Sequence, residues 1–302
     1  MEHLTGLAPL AAGYDGFLLD LWGVVHDGVS LYPGTLFCLQ QLRAAGKRCV
    51  MLSNAPRRAA AAAAGLDGLG LARELYAGVV TSGEITRAAL AGRSDPFVAA
   101  LGPRLYHLGP VRDRNLFEGL PLTAVGTPEE ADFVLNTGPD DDRNPTELGP
   151  FEETLAACRA RDLPMLCANP DLEVIRGGVR VICAGALAAR YRELGGTVRE
   201  FGKPDAAVYH AALGLLDLSP ARVLAVGDAL RTDILGASRM GIDSLWILSG
   251  IHDLAGRPGQ ACSAARAAGL APRATADRFA WDASPGDASS GGASSGGASL
   301  SR

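Results

Sequence analysis

The 302-residue chain contains no run of lysines and arginines, no pair of cysteines at C-x-x-C spacing, and no long uncharged apolar stretch. Each absence removes a class of protein. A net charge of −5 with acidic and basic residues interspersed leaves no electrostatic footprint for nucleic acid or for an anionic membrane surface, so neither is an expected partner. The scattered thiols Cys38, Cys49, Cys158, Cys167, Cys183 and Cys262 form neither a zinc site nor a disulfide framework. They read as reduced and mostly buried. No basic segment followed by an apolar one opens the chain, and no segment reaches the length of a membrane span, so the cytoplasm is the expected address. What the chain does have is 48% hydrophobic residues, enough for a sizeable core in one large or two modest domains, with a small molecule as the default partner.

Short apolar runs alternate with longer Ala/Leu/Arg segments of helical period, the pattern of βαβ units around a parallel sheet. FLLDLWGVV, RCVMLSN, GVVTS, RVLAVGD and DSLWILSG are the clearest strands, and GTLFCLQQLRAAGK and PDAAVYHAALGLL the clearest helices. The fold class is therefore α/β, with a doubly wound parallel sheet. A second series, RLYHLG, DFVLNTG and PMLCAN with the helix FEETLAACRARD, sits mid-chain between Pro/Gly/Asp-rich joints. We divide the chain into a core over 1–95 and 197–258, a smaller inserted α/β domain over 96–196, an accessory segment over 259–282 holding one helix, and a Gly/Ser/Ala-rich tail over 283–302 that cannot bury a core and is expected to be disordered.

Three carboxylates stand at or just past strand ends: Asp20, Asp228 and Asp233. Ligands of open α/β sheets bind outside the carboxyl ends of strands, so these residues can converge across the sequence, and clustered carboxylates there imply a hard cation such as Mg²⁺. In GDALRTD, Thr232 and Asp233 either support that metal or cap the following helix. Ser53 and Asn54 in SNAPRR are suited either to phosphate oxygens or to a helix cap. Lys203, in FGKP, is either an isolated surface residue or, held in the first turn of a helix, a countercharge for a carboxylate and a phosphoryl group.

The ordered set Asp20, Ser53, Lys203 and GDxxxTD resembles the four motifs of the haloacid dehalogenase-like superfamily. The insert between the second and third motifs resembles its branch with a large α/β cap, subfamily IIA, which includes nucleotide, glycerol phosphate and pyridoxal phosphate phosphatases. The resemblance runs from about residue 14 to 258 and includes LYPGTLFCLQQLRAAGKRCVMLSN and ANPD. It implies that Asp20 is a nucleophile forming an aspartyl phosphate, that Ser53 holds phosphoryl oxygens and that Lys203 compensates their charge. Mg²⁺ would be bound by Asp20, Asp228 and the Trp22 backbone carbonyl, with Asp233 in support. It also implies a small phosphorylated metabolite as substrate and, as in related proteins, a homodimer through the cap. In ANPDLEVIRGG, the residues Asn169 and Asp171 resemble the cap's substrate-facing loop, with Arg176 within reach of an anion; a simple Asx turn is the other reading.

Two positions depart from the pattern. Ala55 stands where many relatives have a second Asn. Trp22 stands where the phosphatases have an Asp that protonates the leaving oxygen, and indole can neither give nor take that proton. Three readings follow: a phosphatase restricted to leaving groups that need no proton, or served by Asp27 or His26 in place of the missing acid; a dehalogenase-like hydrolase; or a phosphate- and metal-binding regulatory protein without turnover. For Asp27 and His26 the alternative is a polar turn, HDG. Asp140, Asp141 and Asp142 read as a solvated loop.

Overall fold

The computed structural model describes residues 1–282, so the tail expected to be disordered, 283–302, lies outside the described residues. The strands are β1 (Glu2–Leu4), β2 (Gly16–Leu19), β3 (Arg48–Ser53), β4 (Gly78–Thr81), β5 (Arg104–Leu108), β6 (Thr123–Val125), β7 (Phe133–Asn136), β8 (Met165–Cys167), β9 (Glu173–Arg176), β10 (Val179–Ile182), β11 (Val198–Glu200), β12 (Val223–Gly227), β13 (Asp243–Ile247) and β14 (Ala274–Ala276). Seven of them form one parallel sheet in the order β1-β14-β13-β12-β2-β3-β4. Five more form a second parallel sheet, β11-β8-β7-β5-β6, and β9 and β10 make a separate antiparallel hairpin. The result is a Rossmann-like core with a smaller α/β cap inserted between β4 and β12.

Burial explains why the core strands carry continuous apolar runs. β2 is GFLL and β12 is VLAVG, every residue of both buried, because helices cover both faces of a parallel sheet. One face packs Phe17, Leu19, Met51 and Leu224 against the helix Thr35–Ala44. The opposite face packs Leu18, Val50 and Ala225 against the helix Ala206–Leu216, which Asp205 caps by accepting from the Ala207 amide at 2.9 Å. Lys203 therefore precedes the cap of this helix and does not lie in its first turn.

The chain leaves β2 and reaches β3 on one side, while β12 leads to β13 on the other. The topological switch point falls between β2 and β12, and there the residues at the carboxyl ends open a crevice. FLLDLWGVV is not one long strand. β2 ends at Leu19, and residues 21–26 fold into a tight turn in which the Val25 and His26 amides both donate to the Leu21 carbonyl.

The segment after 258 holds the expected helix, Pro258–Ala267, and is also integral to the core. β14 inserts between β1 and β13, and Ala274, Thr275 and Ala276 are all buried. A three-residue strand, ATA, is too short to show any periodicity in the sequence. A chain ended at residue 270 should lose this strand, expose Ile247 and leave β1 unpaired. We expect its thermal unfolding midpoint, followed by circular dichroism, to fall by more than about 10 °C or cooperative unfolding to vanish, and an unchanged midpoint would show β14 to be dispensable.

Candidate active site

Asp20 follows β2, Asp228 follows β12, and Ser53 closes β3, so three neighbouring parallel strands deliver three polar side chains to one crevice. All are nearly inaccessible: Asp20 is 7%, Asp228 6% and Ser53 1% exposed. Asp233 joins them from a π-helical turn, Leu230–Ile234, a tight detour of the kind found at functional sites. One oxygen from each of Asp20, Asp228 and Asp233 lies within 4.8 Å of the others.

Lys203, one of only two lysines in the chain, is buried among these carboxylates. Its ammonium donates to Asp20 Oδ1 at 2.5 Å, to Asp233 Oδ1 at 2.7 Å and to the Leu52 carbonyl at 3.1 Å, which uses all three N–H bonds. Burial opposes a charged ammonium, but Asp20, Asp233 and Asp171 together outweigh it and hold Lys203 firmly protonated. Burial and the charge of Asp233 push the Asp20 carboxyl well up, while Lys203 pulls it down. Burial pushes Asp228 up to about 8, with Asp233 adding to it. Three buried carboxylates share one ammonium, which is too little positive charge for all of them to ionise, and Asp20 and Asp228 are pushed up accordingly.

The donor set fits a hard divalent cation. Asp20 Oδ2 and Asp228 Oδ1 accept no hydrogen bond among the described residues, and the Thr232 hydroxyl is buried without a partner. Asp228 Oδ2 is fixed by the Ile251 amide at 2.7 Å, and Asp233 Oδ2 by the Ala229 amide at 3.2 Å. Two glycines make room. A Cβ at Gly23, which sits at φ 79°, would come within 2.1 Å of the Asp228 carboxylate, and one at Gly250 within 2.0 Å. Gly250 and Ile251, at the end of DSLWILSGI, were missed in the sequence because nothing in a strand-end glycine marks which carboxylate it will face.

Ser53 Oγ accepts from the Ala55 amide at 3.1 Å, leaving its own proton available to a phosphoryl oxygen. Asn54 has a different task from the substrate contact read in the sequence. Its Oδ1 accepts from the Lys203 amide at 2.7 Å and its Nδ2 donates to Asp171 Oδ1 at 2.9 Å, so it ties the lysine loop to the cap. Asn169 is buried and its Oδ1 accepts from the Asp171 amide, the Asx-turn geometry weighed as the alternative. Asp171 does face the site, lining both cavities described below, and packing around its carboxyl raises it above the ordinary range. Arg176 lies at the exposed end of β9 and lines one of them.

The two candidates for a replacement acid are both engaged elsewhere. Asp27 Oδ1 accepts from the Val29 and Ser30 amides at 2.9 and 2.8 Å, and these bonds hold its carboxyl below the ordinary range, which makes it a poor proton donor. His26 is buried, accepts from the Gly28 amide through Nδ1 at 3.0 Å, and is pushed down to about 4 chiefly by burial. It is neutral at pH 7. Its ring meets the Trp22 indole edge to face at 5.1 Å, and Gly28, at φ 84°, lets the turn lie on that indole.

Two cavities flank Trp22. One, of about 230 Å³, contains Asp20, Asp228, Asp233, Tyr32 and His252 and is roofed by residues 171–175 of the cap. The other, of about 260 Å³, extends between the core turn and the cap. Trp22, Asp171 and Val174 line both. The cap is tied down by Arg231, which donates to the Pro170 carbonyl, and by Arg180, which donates to the Ile251 carbonyl at 3.3 Å.

A doubly wound sheet with a buried carboxylate and lysine cluster at its switch point, under an inserted cap, defines a class of hydrolases. Family models agree: residues 17–120 match the haloacid dehalogenase-like hydrolase model and residues 200–276 the HAD-hydrolase-like model. Chronophin from Mus musculus is 30% identical over 266 residues, covering 84% of this chain and 88% of chronophin. A haloacid dehalogenase-like hydrolase from Brucella suis superposes with a TM-score of 0.78 at 33% identity, over 91% of this chain and 98% of its own. A glycerol phosphate phosphatase from Mycobacterium tuberculosis in complex with magnesium gives a TM-score of 0.59 at 30% identity, over 80% and 70%. The chain belongs to the haloacid dehalogenase-like hydrolases, in subfamily IIA. Among the described residues no helix is long and apolar enough to cross a membrane.

Lys203→Met should destabilise the protein by about 3–5 kcal/mol, since it strips the carboxylates of their buried countercharge. Urea unfolding with a loss under about 1 kcal/mol would contradict that role. The His26 titration gives a second test. His26 binds fewer protons folded than unfolded between about pH 4 and 6.5, so its contribution is complete above 6.5 and is lost as pH falls toward 4. His26→Asn, which keeps an acceptor for the Gly28 amide, should reduce the stability lost between pH 7 and 4.5 by roughly 2–3 kcal/mol. Equal losses in both proteins would place the ring in water.

Proposed function

We propose that the protein is a Mg²⁺-dependent phosphatase of small phosphorylated metabolites that works through an aspartyl phosphate on Asp20 and favours good leaving groups because Trp22 replaces the acid. The observation that carries this reading is the triangle of Asp20, Asp228 and Asp233 around Lys203, with Asp20 Oδ2 left unengaged at the switch point. Mg²⁺ held by Asp20, Asp228 and the Trp22 carbonyl, with Asp233 in support, would neutralise phosphoryl charge and bring a water to the site. The relatives and neighbours support the class; the metal, the role of each residue and the substrate are our reading.

In this scheme the Ser53 hydroxyl donates to a phosphoryl oxygen and Lys203 fixes Asp20 for in-line attack. Attack by Asp20 on phosphorus forms the acyl phosphate, and the ester oxygen departs with the bonding electrons. That oxygen then needs a proton or must be stable without one. Trp22, Asp27 and His26 supply none, so phenolates and carboxylates should leave and alkoxides should not. A cap that roofs the crevice restricts substrates to small molecules and keeps bulk water out. The cap as a dimer contact and the cytoplasm as the place of action complete the proposal.

Phosphate release with Mg²⁺ should be measurable from acetyl phosphate and 4-nitrophenyl phosphate, at a rate about 10² to 10⁴ above that from alkyl monophosphates, the usual value of general acid help. EDTA or Asp20→Asn should abolish it, and Trp22→Asp should raise the alkyl rate selectively. Release that survives Asp20→Asn would refute the nucleophile. The absence of release from any substrate would favour a phosphate-binding regulatory role.

A further inference from the structure

The second cavity carries a charge pattern that the phosphoryl site does not use. Three elements distant in sequence bring arginines to its wall: Arg57 from the loop after β3, Arg112 from the turn after β5, and Arg176 from the end of β9. They face two carboxylates, Asp113 and Asp171, with His26 neutral beside them. Asp171 is committed to Asn54. Asp113, 1% exposed, sits 4.0 Å from Arg57 Nε and 4.0 Å from Arg112 Nε, beyond hydrogen-bond distance of either.

The groups here are charged and incompletely bonded. The half-buried Arg57 guanidinium donates no hydrogen bond among the described residues. Arg57 has only the long ion pair with Asp113, Arg176 has no ion-pair partner among the described residues, and Arg112 donates to Asp141 Oδ1 at 3.2 Å. Asp113 Oδ1 is buried without a hydrogen-bond partner. A buried oxygen orphaned in this way costs stability unless a ligand completes it. Burial pushes the Asp113 carboxyl up to about 6, and burial first, with Arg112 and Arg176 adding to it, lowers Arg57, as guanidinium groups gathered around a desolvated space require.

We infer that this cavity binds the far end of the substrate, and that this end carries an oxyanion held by Arg57, Arg112 and Arg176, with a neighbouring hydroxyl that donates to Asp113 Oδ1. The inference rests on the phosphatase reading, since it places the phosphoryl group on Asp20 and threads the substrate past Trp22, which lines both cavities. The oxyanion is a carboxylate or a second phosphate, both matched by arginine forks. Trp22 then acts as the apolar waist between two anion sites.

The test uses matched compounds as competitors of 4-nitrophenyl phosphate turnover: 3-phosphoglycerate against glycerol 3-phosphate, which exchanges a carboxylate for a hydroxymethyl group, and fructose 1,6-bisphosphate against fructose 6-phosphate. Binding of the same compounds to Asp20→Asn is measured by calorimetry in parallel. We expect the extra oxyanion to tighten binding by about tenfold or more in one pair, which says whether carboxylate or phosphate is meant. Arg57→Gln and Arg176→Gln should each reduce that ratio severalfold. Equal binding within both pairs, or a ratio that neither arginine variant changes, overturns the inference. Loss of the phosphatase reading has a different signature, turnover that is absent or indifferent to Asp20→Asn, and calorimetry then still decides whether the oxyanion is preferred.

Discussion

The Lys203 ammonium, buried between Asp20 and Asp233, is the contact on which the rest of the site depends. Carboxylates this close repel one another, and moving each out of water costs several kcal/mol. A single cation with three donors, held at a fixed point, makes the arrangement tolerable and leaves it short of positive charge. That deficit is what the proposed metal would meet. In the proposed reaction a divalent cation and a phosphoryl group would enter a place whose field is already built, so that reorganisation at the moment of reaction would be small.

Placing Lys203 there takes contributions from both domains. Its backbone amide donates to Asn54 at the end of β3, and Asn54 reaches on to Asp171 in the cap. β11 of the cap sheet ends only three residues before the lysine. Core strand, cap loop and buried lysine are thus linked by one amide side chain. A displacement of the cap would be felt at Asp20 through Asn54 and Lys203, which gives the cap a physical route to the chemistry as well as a roof over it.

Much of this was legible from residue order. Asp20 and Asp228 end apolar runs that can only be buried strands, and a carboxylate at such a position has to face the crevice. Lys203 could be read because GKP follows a strand. The geometry that completes the site was not legible. The π-helical turn that swings Asp233 back toward Lys203 leaves no periodic trace in ALRTD, and Asp27 looked available because its amide partners, Val29 and Ser30, follow it in an exposed turn. Arg57, Arg112 and Arg176 come together only after the cap has folded over the core, so no spacing announces them.

Trp22 stands between the carboxylate cluster and the second cavity. At an acid's position a carboxylic side chain would stand in a cavity wall beside three others and add to their repulsion. An indole adds none and meets the neutral His26 edge to face. Under the proposed function the same side chain offers no proton and would give the substrate an apolar surface to lie against. On that reading a narrower leaving-group range and a gain in recognition come from one side chain. Trp22 lines both cavities, and on the proposed reading it belongs to a pocket that selects by what binds beyond it.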